Sequence, residues 1–267
     1  MKFKKGECLY CGCDINSKEH KKLCLDWVKK LEEAQKTRKT VPIAEIFASI
    51  QAEGKYLGVP SVFVRFYGCN LRCQFRGKEC DTPYAVNTEK DKSSLMTVEQ
   101  IIKEIRKFKS KHIAFTGGEP MLYKEFIKKI VKPFHLTHSF EIETNATIES
   151  DDEFNEIISW FNLSVKLKSS NQTNKFYDER RINLKAISSY CDVNSCFKFV
   201  YCCKKDLKEI LKLHKNFNTL EIYLMPEGVT RKDIIKHSPE VINICIKYGF
   251  IFSPREHIMI WDSKRGV

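Results

Sequence analysis

The chain has 267 residues, 42% hydrophobic, 12% aromatic and 30% charged, with a formal net charge of +12. That length suits one sizeable domain with an appendage, and the composition excludes a disordered or fibrous chain. No apolar run approaches the ~20 residues that span a bilayer, and the basic start MKFKKGECLYCGC has no apolar stretch behind it to make a secretory signal. The expectation is a cytoplasmic protein with no membrane association. The positive charge suits an anionic substrate or nucleic acid, but lysine-rich exposed helix faces are the simpler explanation, so nucleic acid is not required.

In chain order, residues 1–40 stand apart from the rest. They hold CLYCGC, then the charged stretch SKEHKKLCLDWVKKLEEAQKTRK, which reads as one helix ending before Pro42. Cys8, Cys11 and Cys24 have the spacing of the first three ligands of a zinc ribbon, with Trp27 where a fourth cysteine would stand. Cys13 or His20 would complete a tetrahedron around Zn2+; a metal-free knuckle is the alternative. Residues 41–267 are expected to form the core domain. Strands are predicted at 61–66, 112–116, 139–144, 163–167, 196–201, 220–225 and 249–253, from short runs rich in β-branched and aromatic residues. Between them, TVEQIIKEIRKFK opens on a capping-box pattern, Thr97 with Gln100, and buries Val98, Ile101, Ile102 and Ile105. KDLKEILKLHKNF has Leu207, Ile210, Leu211 and Leu213 to bury. Strands alternating with helices predict an α/β fold with a parallel sheet, ligands binding at the carboxyl ends of its strands.

Chemistry gathers at two of those ends. After the first predicted strand, GCNLRCQFRGKECDT carries Cys69, Cys73 and Cys80; after the second comes TGGEP, Thr116 to Pro120. Twelve cysteines in a reducing compartment point to metal or redox chemistry. Cys191, Cys196, Cys202, Cys203 and Cys245 have no ligand spacing and read as small buried hydrophobes. The three clustered cysteines fit either a structural zinc site completed from elsewhere or an iron–sulfur cluster with one iron left open. Two glycines after a strand let the backbone approach a ligand closely, although a plain tight turn uses the same residues.

Taken together, the two motifs resemble the radical S-adenosylmethionine superfamily, with its C-x3-C-x2-C loop and GGE motif. Here position 76 is Arg76, and Cys80 follows four inserted residues. Loop closure costs little more for four extra residues, so Cys80 is kept as the third ligand. Arg76 and Lys78 are expected to bring positive charge beside the cluster. EIFASIQAEG, SVFVRFYGCNLRC, CDT, ETNA, LSVKLKSS, FKFVYCCKKDL, IYLMPEG and the closing KYGFIFSPREHIMIWDSKRGV narrow the resemblance to the 7-carboxy-7-deazaguanine synthase family. The resemblance runs from about Ile43 to the last residue, and ends where that family ends.

That resemblance implies a partial TIM-like barrel and a [4Fe–4S] cluster on Cys69, Cys73 and Cys80, with S-adenosylmethionine and Mg2+ as further cofactors. Thr82 would be the magnesium ligand. Ile50, Gln51, Ala52, Glu53, Arg65, Thr116 and Val267 would meet a pterin substrate, with Arg65 on its carboxylate. Gly118, Glu119, Ser164, Val165 and Lys166 would hold S-adenosylmethionine, with Glu143 and Asn145 as further candidates. Val165 stands where the family has proline, which loosens that turn. His257 reads as packed in the core. The implied activity is a radical lyase that turns 6-carboxy-5,6,7,8-tetrahydropterin into 7-carboxy-7-deazaguanine with loss of ammonia, toward queuosine-type 7-deazapurines. A flavodoxin-like or ferredoxin-like electron donor and a homodimer are implied as well. Two other readings are an activase that installs a glycyl radical on a partner and a zinc-holding nucleic-acid binder.

Overall fold

The computed structural model describes residues 39–86, 94–172, 175–262 and 264–267. The zinc candidates Cys8, Cys11, Cys13 and Cys24 lie outside them, as does most of the expected N-terminal extension. The sheet strands are β1 (Val41–Ile50), β2 (Pro60–Phe66), β5 (Ser94–Met96), β6 (His112–Gly117), β7 (Ser139–Thr144), β8 (Trp160–Leu163), β9 (Ser195–Tyr201), β10 (Glu221–Pro226) and β11 (Ile251–Phe252). The two-residue strands β3 (Gln74–Phe75) and β4 (Lys78–Glu79) pair only with each other. The sheet order is β11-β10-β9-β8-β7-β6-β2-β1-β5. All pairs from β11 to β2 are parallel, while β1 runs antiparallel to both β2 and β5.

Period-two alternation gives the parallel strands two different faces. Val62, Val64 and Phe66 on β2, Phe140 and Ile142 on β7, and Phe197 and Phe199 on β9 are all buried in the main core. Ile101 and Ile105 of the helix Val98–Ile105 join that core, as do Phe126 and Ile130 of Lys124–Val131 and Ile210 and Leu213 of Lys204–Asn216. The first of these helices carries the expected capping box, with Thr97 and Gln100 bonding reciprocally. On the opposite face, Arg65, Thr116, Glu143 and Lys198 point into a cavity. The sheet is therefore apolar toward its helices and polar inside, a partial barrel whose hollow is a site and not a core.

Two elements differ from expectation. The ten residues of β1 were not anticipated as a strand; their pattern is half-buried and mixed, because β1 sits near one edge of the sheet. The strand expected at 163–167 occupies Trp160–Leu163 instead. Only Phe161 to Leu163 find partners on β9, so the chain beyond them leaves the ladder. Val165 and Leu167 stay buried while Ser164 and Lys166 reach the cavity, so the alternation survives without the pairing.

The loop after β1 forms the floor of the hollow. Gly54, at φ +70°, passes so close to Asn162 that a Cβ would lie 3.1 Å from its Oδ1. Gly54 N donates to Ser253 Oγ at 2.9 Å, and Glu256 N donates to Ala52 O at 3.1 Å. These bonds join the loop to the segment after β11, so loop contacts link the two sides of the open sheet where strands do not. Among the described residues, no helix is long and apolar enough to cross a membrane.

Candidate active site

The cluster loop starts where β2 ends. Gly68, at φ +101°, turns the chain, and its N–H donates to Ala85 O at 2.8 Å. Cys69 and Cys73 are buried and Cys80 is partly exposed. The inserted residues form the tip of a hairpin: Gln74 pairs with Glu79 and Phe75 with Lys78 across Arg76 and Gly77, which sit at φ +49° and +79°. Both central residues at positive φ make the two-residue turn whose twist suits paired strands. A hairpin returns the chain to where it left, so Cys80 comes back beside Cys73 despite the longer spacing. Arg76 does not add free charge at the thiols: its Nε pairs with Glu227 at 2.8 Å and its Nη2 donates to Cys202 O at 3.0 Å.

All three thiols line one cavity of about 300 Å³. Burial first, then the charges of Cys73 and Glu119, push the Cys69 thiol up to about 12. Burial, Asp81 and Cys73 do the same for Cys80. Buried thiols that raise one another's pKa are poor nucleophiles and good ligands for a group that takes their protons. Among the described residues no three or more His, Cys, Asp or Glu side chains converge as they would on a single metal ion. Three thiols of one loop lining one cavity suit a [4Fe–4S] cluster, whose irons would take one thiolate apiece.

The glycine turn lies against this loop. Gly118 N donates to Phe66 O at 3.2 Å and Glu119 N to Gly68 O at 2.9 Å. Gly117 adopts φ +138° and a Cβ there would lie 2.1 Å from Phe66 O, so no other residue fits. The Glu119 carboxylate is fully buried and accepts from Met121 N at 3.0 Å, Thr144 Oγ1 at 2.7 Å and Asn145 N at 2.7 Å. Burial nevertheless raises it to about 7. Glu119 and Val165 are the two cofactor candidates that stand behind the cavity wall instead of lining it. Gly118, Glu143, Asn145, Ser164 and Lys166 do line it. Asn145 also braces the cluster loop, its Nδ2 donating to Asn70 Oδ1 at 2.8 Å.

The expected substrate residues meet in the same cavity: Ile50, Gln51, Ala52 and Glu53 from the floor, Arg65 and Thr116 from the strands, and Val267 from the far end of the chain. Thr82 lines it beside Cys80. The Gln51 amide is already engaged, donating to Glu141 Oε2 at 2.5 Å. Arg65 Nε donates to Glu45 Oε1 at 2.8 Å, and the Arg65 and Arg265 guanidiniums lie 5.8 and 3.4 Å from the centre of the Tyr84 ring.

Glu53 is the best-supported charge in the hollow. It accepts from Lys198 Nζ at 3.0 Å and from Arg255 Nε at 2.9 Å. Burial would raise its pKa, but those two cations outweigh it and hold the carboxyl well below the usual range. Lys198 also pairs with Glu143. Arg255 further donates to Asp81 Oδ2 at 2.5 Å and to Gly228 O at 2.9 Å.

Comparison with known proteins adds ancestry to this geometry. The profile of the Radical SAM superfamily matches residues 63–238, about two-thirds of the chain. The chain is 32% identical over 243 residues to a 7-carboxy-7-deazaguanine synthase of Halobacterium salinarum, covering 83% of this chain and 91% of that one. It is 34% identical over 242 residues to the enzyme of that name from Buchnera aphidicola, covering 82% and 95%. The chain belongs to the 7-carboxy-7-deazaguanine synthase family. A crystal structure of QueE from Escherichia coli shares the fold, with a TM-score of 0.63 at 20% identity over 84% of this chain and 97% of that one.

Membership in the 7-carboxy-7-deazaguanine synthase family makes this a radical S-adenosylmethionine enzyme with a [4Fe–4S] cluster, and three of our expectations from sequence need correction. His257 is not packed in the core: it lines the cavity with its Nδ1 3.9 Å from Glu53 Oε1. Of the five scattered cysteines only Cys196 and Cys245 are buried, and Cys203 is exposed. Arg76 is neutralised away from the thiols, as described above. Sequence reasoning also missed Lys198, Arg255 and Glu45. Lys198 sits on a strand read as apolar, and inward alternation against Phe197 and Phe199 was its one signal.

Proposed function

We propose that the chain converts 6-carboxy-5,6,7,8-tetrahydropterin to 7-carboxy-7-deazaguanine with loss of ammonia, a lyase step toward queuosine-type 7-deazapurines. What carries this reading is convergence. The residues assigned from sequence to a cluster, to S-adenosylmethionine and to a pterin, scattered from Ile50 to Val267, line a single cavity, with Glu119 and Val165 directly behind its wall. Cys69, Cys73 and Cys80 would hold the cluster, and Thr82 offers a hydroxyl oxygen of the kind Mg2+ prefers. When bound, the cluster and S-adenosylmethionine supply a 5′-deoxyadenosyl radical for hydrogen abstraction.

The chain's own residues orient the reactants and keep water out. Glu53, ionised between Lys198 and Arg255, accepts the guanidine-like N–H groups of a pterin from the cavity floor. Gln51 sets that floor through its bond to Glu141. Arg65, one nitrogen on Glu45, keeps its remaining donors for the substrate carboxylate. Gly118 would offer a close backbone approach to the methionine end of the cofactor, with Glu119 fixed behind it and Ser164 and Lys166 lining the same cavity. The reading entails a flavodoxin-like or ferredoxin-like electron donor and a homodimer. The test is anaerobic turnover of the iron- and sulfide-reconstituted protein with S-adenosylmethionine, magnesium, dithionite and the carboxytetrahydropterin, read by mass spectrometry. Product from the wild type and none from Cys80→Ala supports the reading. Cleavage of S-adenosylmethionine without product would remove the pterin as substrate.

A further inference from the structure

The insertion between Cys73 and Cys80 is more than a tolerated bulge. A two-stranded hairpin of two residues a side is not stable by itself and must be held from outside. Phe75 packs its base against Leu71, Cys73 and Val86, and Arg76 holds its tip, pairing through Nε with Glu227 at 2.8 Å and donating through Nη2 to Cys202 O at 3.0 Å. Those acceptors lie just past the ends of β9 and β10, on the far wall of the hollow from β2, where the cluster loop begins. The acceptor is itself fixed. Glu227 N donates to Tyr201 O at 3.2 Å, and the Glu227 carbonyl accepts from His237 Nδ1 at 2.6 Å. On the other side of Cys80, Arg255 joins Asp81 to the carbonyl of Gly228. The segment from Arg76 to Asp81 is thus tied by two arginines to adjacent residues, Arg76 to Glu227 and Asp81, through Arg255, to Gly228.

Cys80 is the partly exposed thiol of the three, so of the three thiolate-bound irons the one there is the most accessible to water and chelators. We propose that Arg76, paired with Glu227, is a positioning residue for the third cluster thiolate: it pins the inserted hairpin across the ends of β9 and β10, so that Cys80 keeps its iron. This rests on Cys80 being a ligand, and not on the identity of the substrate. Arg76 does not line the cavity, and a partly exposed ion pair of this kind shifts an equilibrium by a factor of about two to five.

The test uses anaerobically reconstituted protein as wild type, Arg76→Ala, Arg76→Lys, Arg76→Glu, and Arg76→Glu combined with Glu227→Arg, with Cys80→Ala as the limiting case. Three quantities are measured: the rate at which bathophenanthroline disulfonate strips iron beyond the first, open iron, the decay of the reduced-cluster signal in the electron paramagnetic resonance spectrum, and the unfolding midpoint of cluster-free protein. Arg76→Ala is expected to load a full cluster and lose that iron about two- to five-fold faster, with a faster-decaying reduced-cluster signal and an unchanged midpoint. Arg76→Lys recovers part of the retention, and the reversed pair recovers more than Arg76→Glu alone. Wild-type iron loss in Arg76→Ala, faster loss that only follows a lowered midpoint, or a reversed pair no better than its single parent overturns the proposal. If Cys80→Ala retains iron like the wild type, the ligand assignment fails and the proposal falls with it; if only Cys80→Ala loses iron, the ligand stands and the brace does not.

Discussion

A Cβ placed on Gly118 would lie 2.2 Å from the carbonyl oxygen of Gly68. The same atom would lie 2.8 Å from Ala85 O, so the glycine turn and the cluster loop meet backbone to backbone. The two motifs are therefore one structural unit, and neither can shift without the other. Gly118→Ala is expected to destabilise the fold by about 1–3 kcal/mol, the range for overpacking a rigid site. It should also weaken S-adenosylmethionine binding more than tenfold, because the turn must move to make room. Denaturant unfolding and calorimetric titration check the two halves separately.

Glu53 is ionised throughout the working range, since Lys198 and Arg255 overcome the effect of its burial. Its low pKa stabilises the fold above the ordinary carboxylate range, and that stabilisation is lost only as pH falls through the depressed value. Glu53→Gln should raise KM about 10- to 100-fold, from the ~1.5–3 kcal/mol of a charged hydrogen bond. The ratio of mutant to wild-type KM should stay flat from pH 6 to pH 9. A ratio that changes across neutrality would assign the effect to some other group.

Lys198 is a buried cation between Glu53 and Glu143. Lys198→Met leaves a buried carboxylate without its partner and should cost about 3–5 kcal/mol. Adding Glu143→Gln should return a good part of that loss, because Glu53 keeps Arg255. Urea midpoints of the two single variants and the double variant give the coupling.

Glu119 titrates in the opposite sense to Glu53. Its pKa is raised to about 7 by burial, against the hydrogen bonds it accepts. A raised carboxyl contributes stability below its unfolded value near 4.5, and that contribution is lost as pH rises through about 7. Without cofactor, wild-type stability relative to Glu119→Gln should fall by roughly 2–3 kcal/mol between pH 5 and pH 8. Urea titrations at the two pH values measure it, and equal differences would show that Glu119 is already ionised at pH 5.

The thiols offer a simpler check. In cluster-free protein, Cys69 and Cys73 are buried and Cys80 is held protonated, while Cys203 is exposed. Iodoacetamide at pH 8 should label Cys203 well before any of the three, as peptide mass spectrometry would reveal. Fast labelling of Cys80 would mean that the hairpin opens in solution.

Most of the parallel strands were legible because each is a short apolar run between turn signals, and β7 matches its expected bounds, while β8 was placed three residues late. The cysteine and glycine motifs were legible because that chemistry demands particular residue types close together in sequence. β1 was not legible: near a sheet edge its faces are half-buried, and the alternation that marks a strand is blurred. Lys198 and Arg255 were hidden for a different reason. Each is a single charge in an otherwise apolar or irregular stretch, and its meaning depends on carboxylates 145 and 202 residues away.

The sequence by itself determined the family, the cluster loop, the glycine turn and the alternation that makes the sheet apolar outside and polar within. These are local or periodic properties, written where they act. Only the tertiary structure decided that four inserted residues fold back as a hairpin and return Cys80 to Cys73. It alone showed that Arg76 and Arg255 tie that segment to Glu227 and Gly228, and that Lys198 and Arg255 keep Glu53 charged. Those outcomes depend on long-range electrostatics and on which strand ends meet, and neither leaves a pattern in the order of the residues.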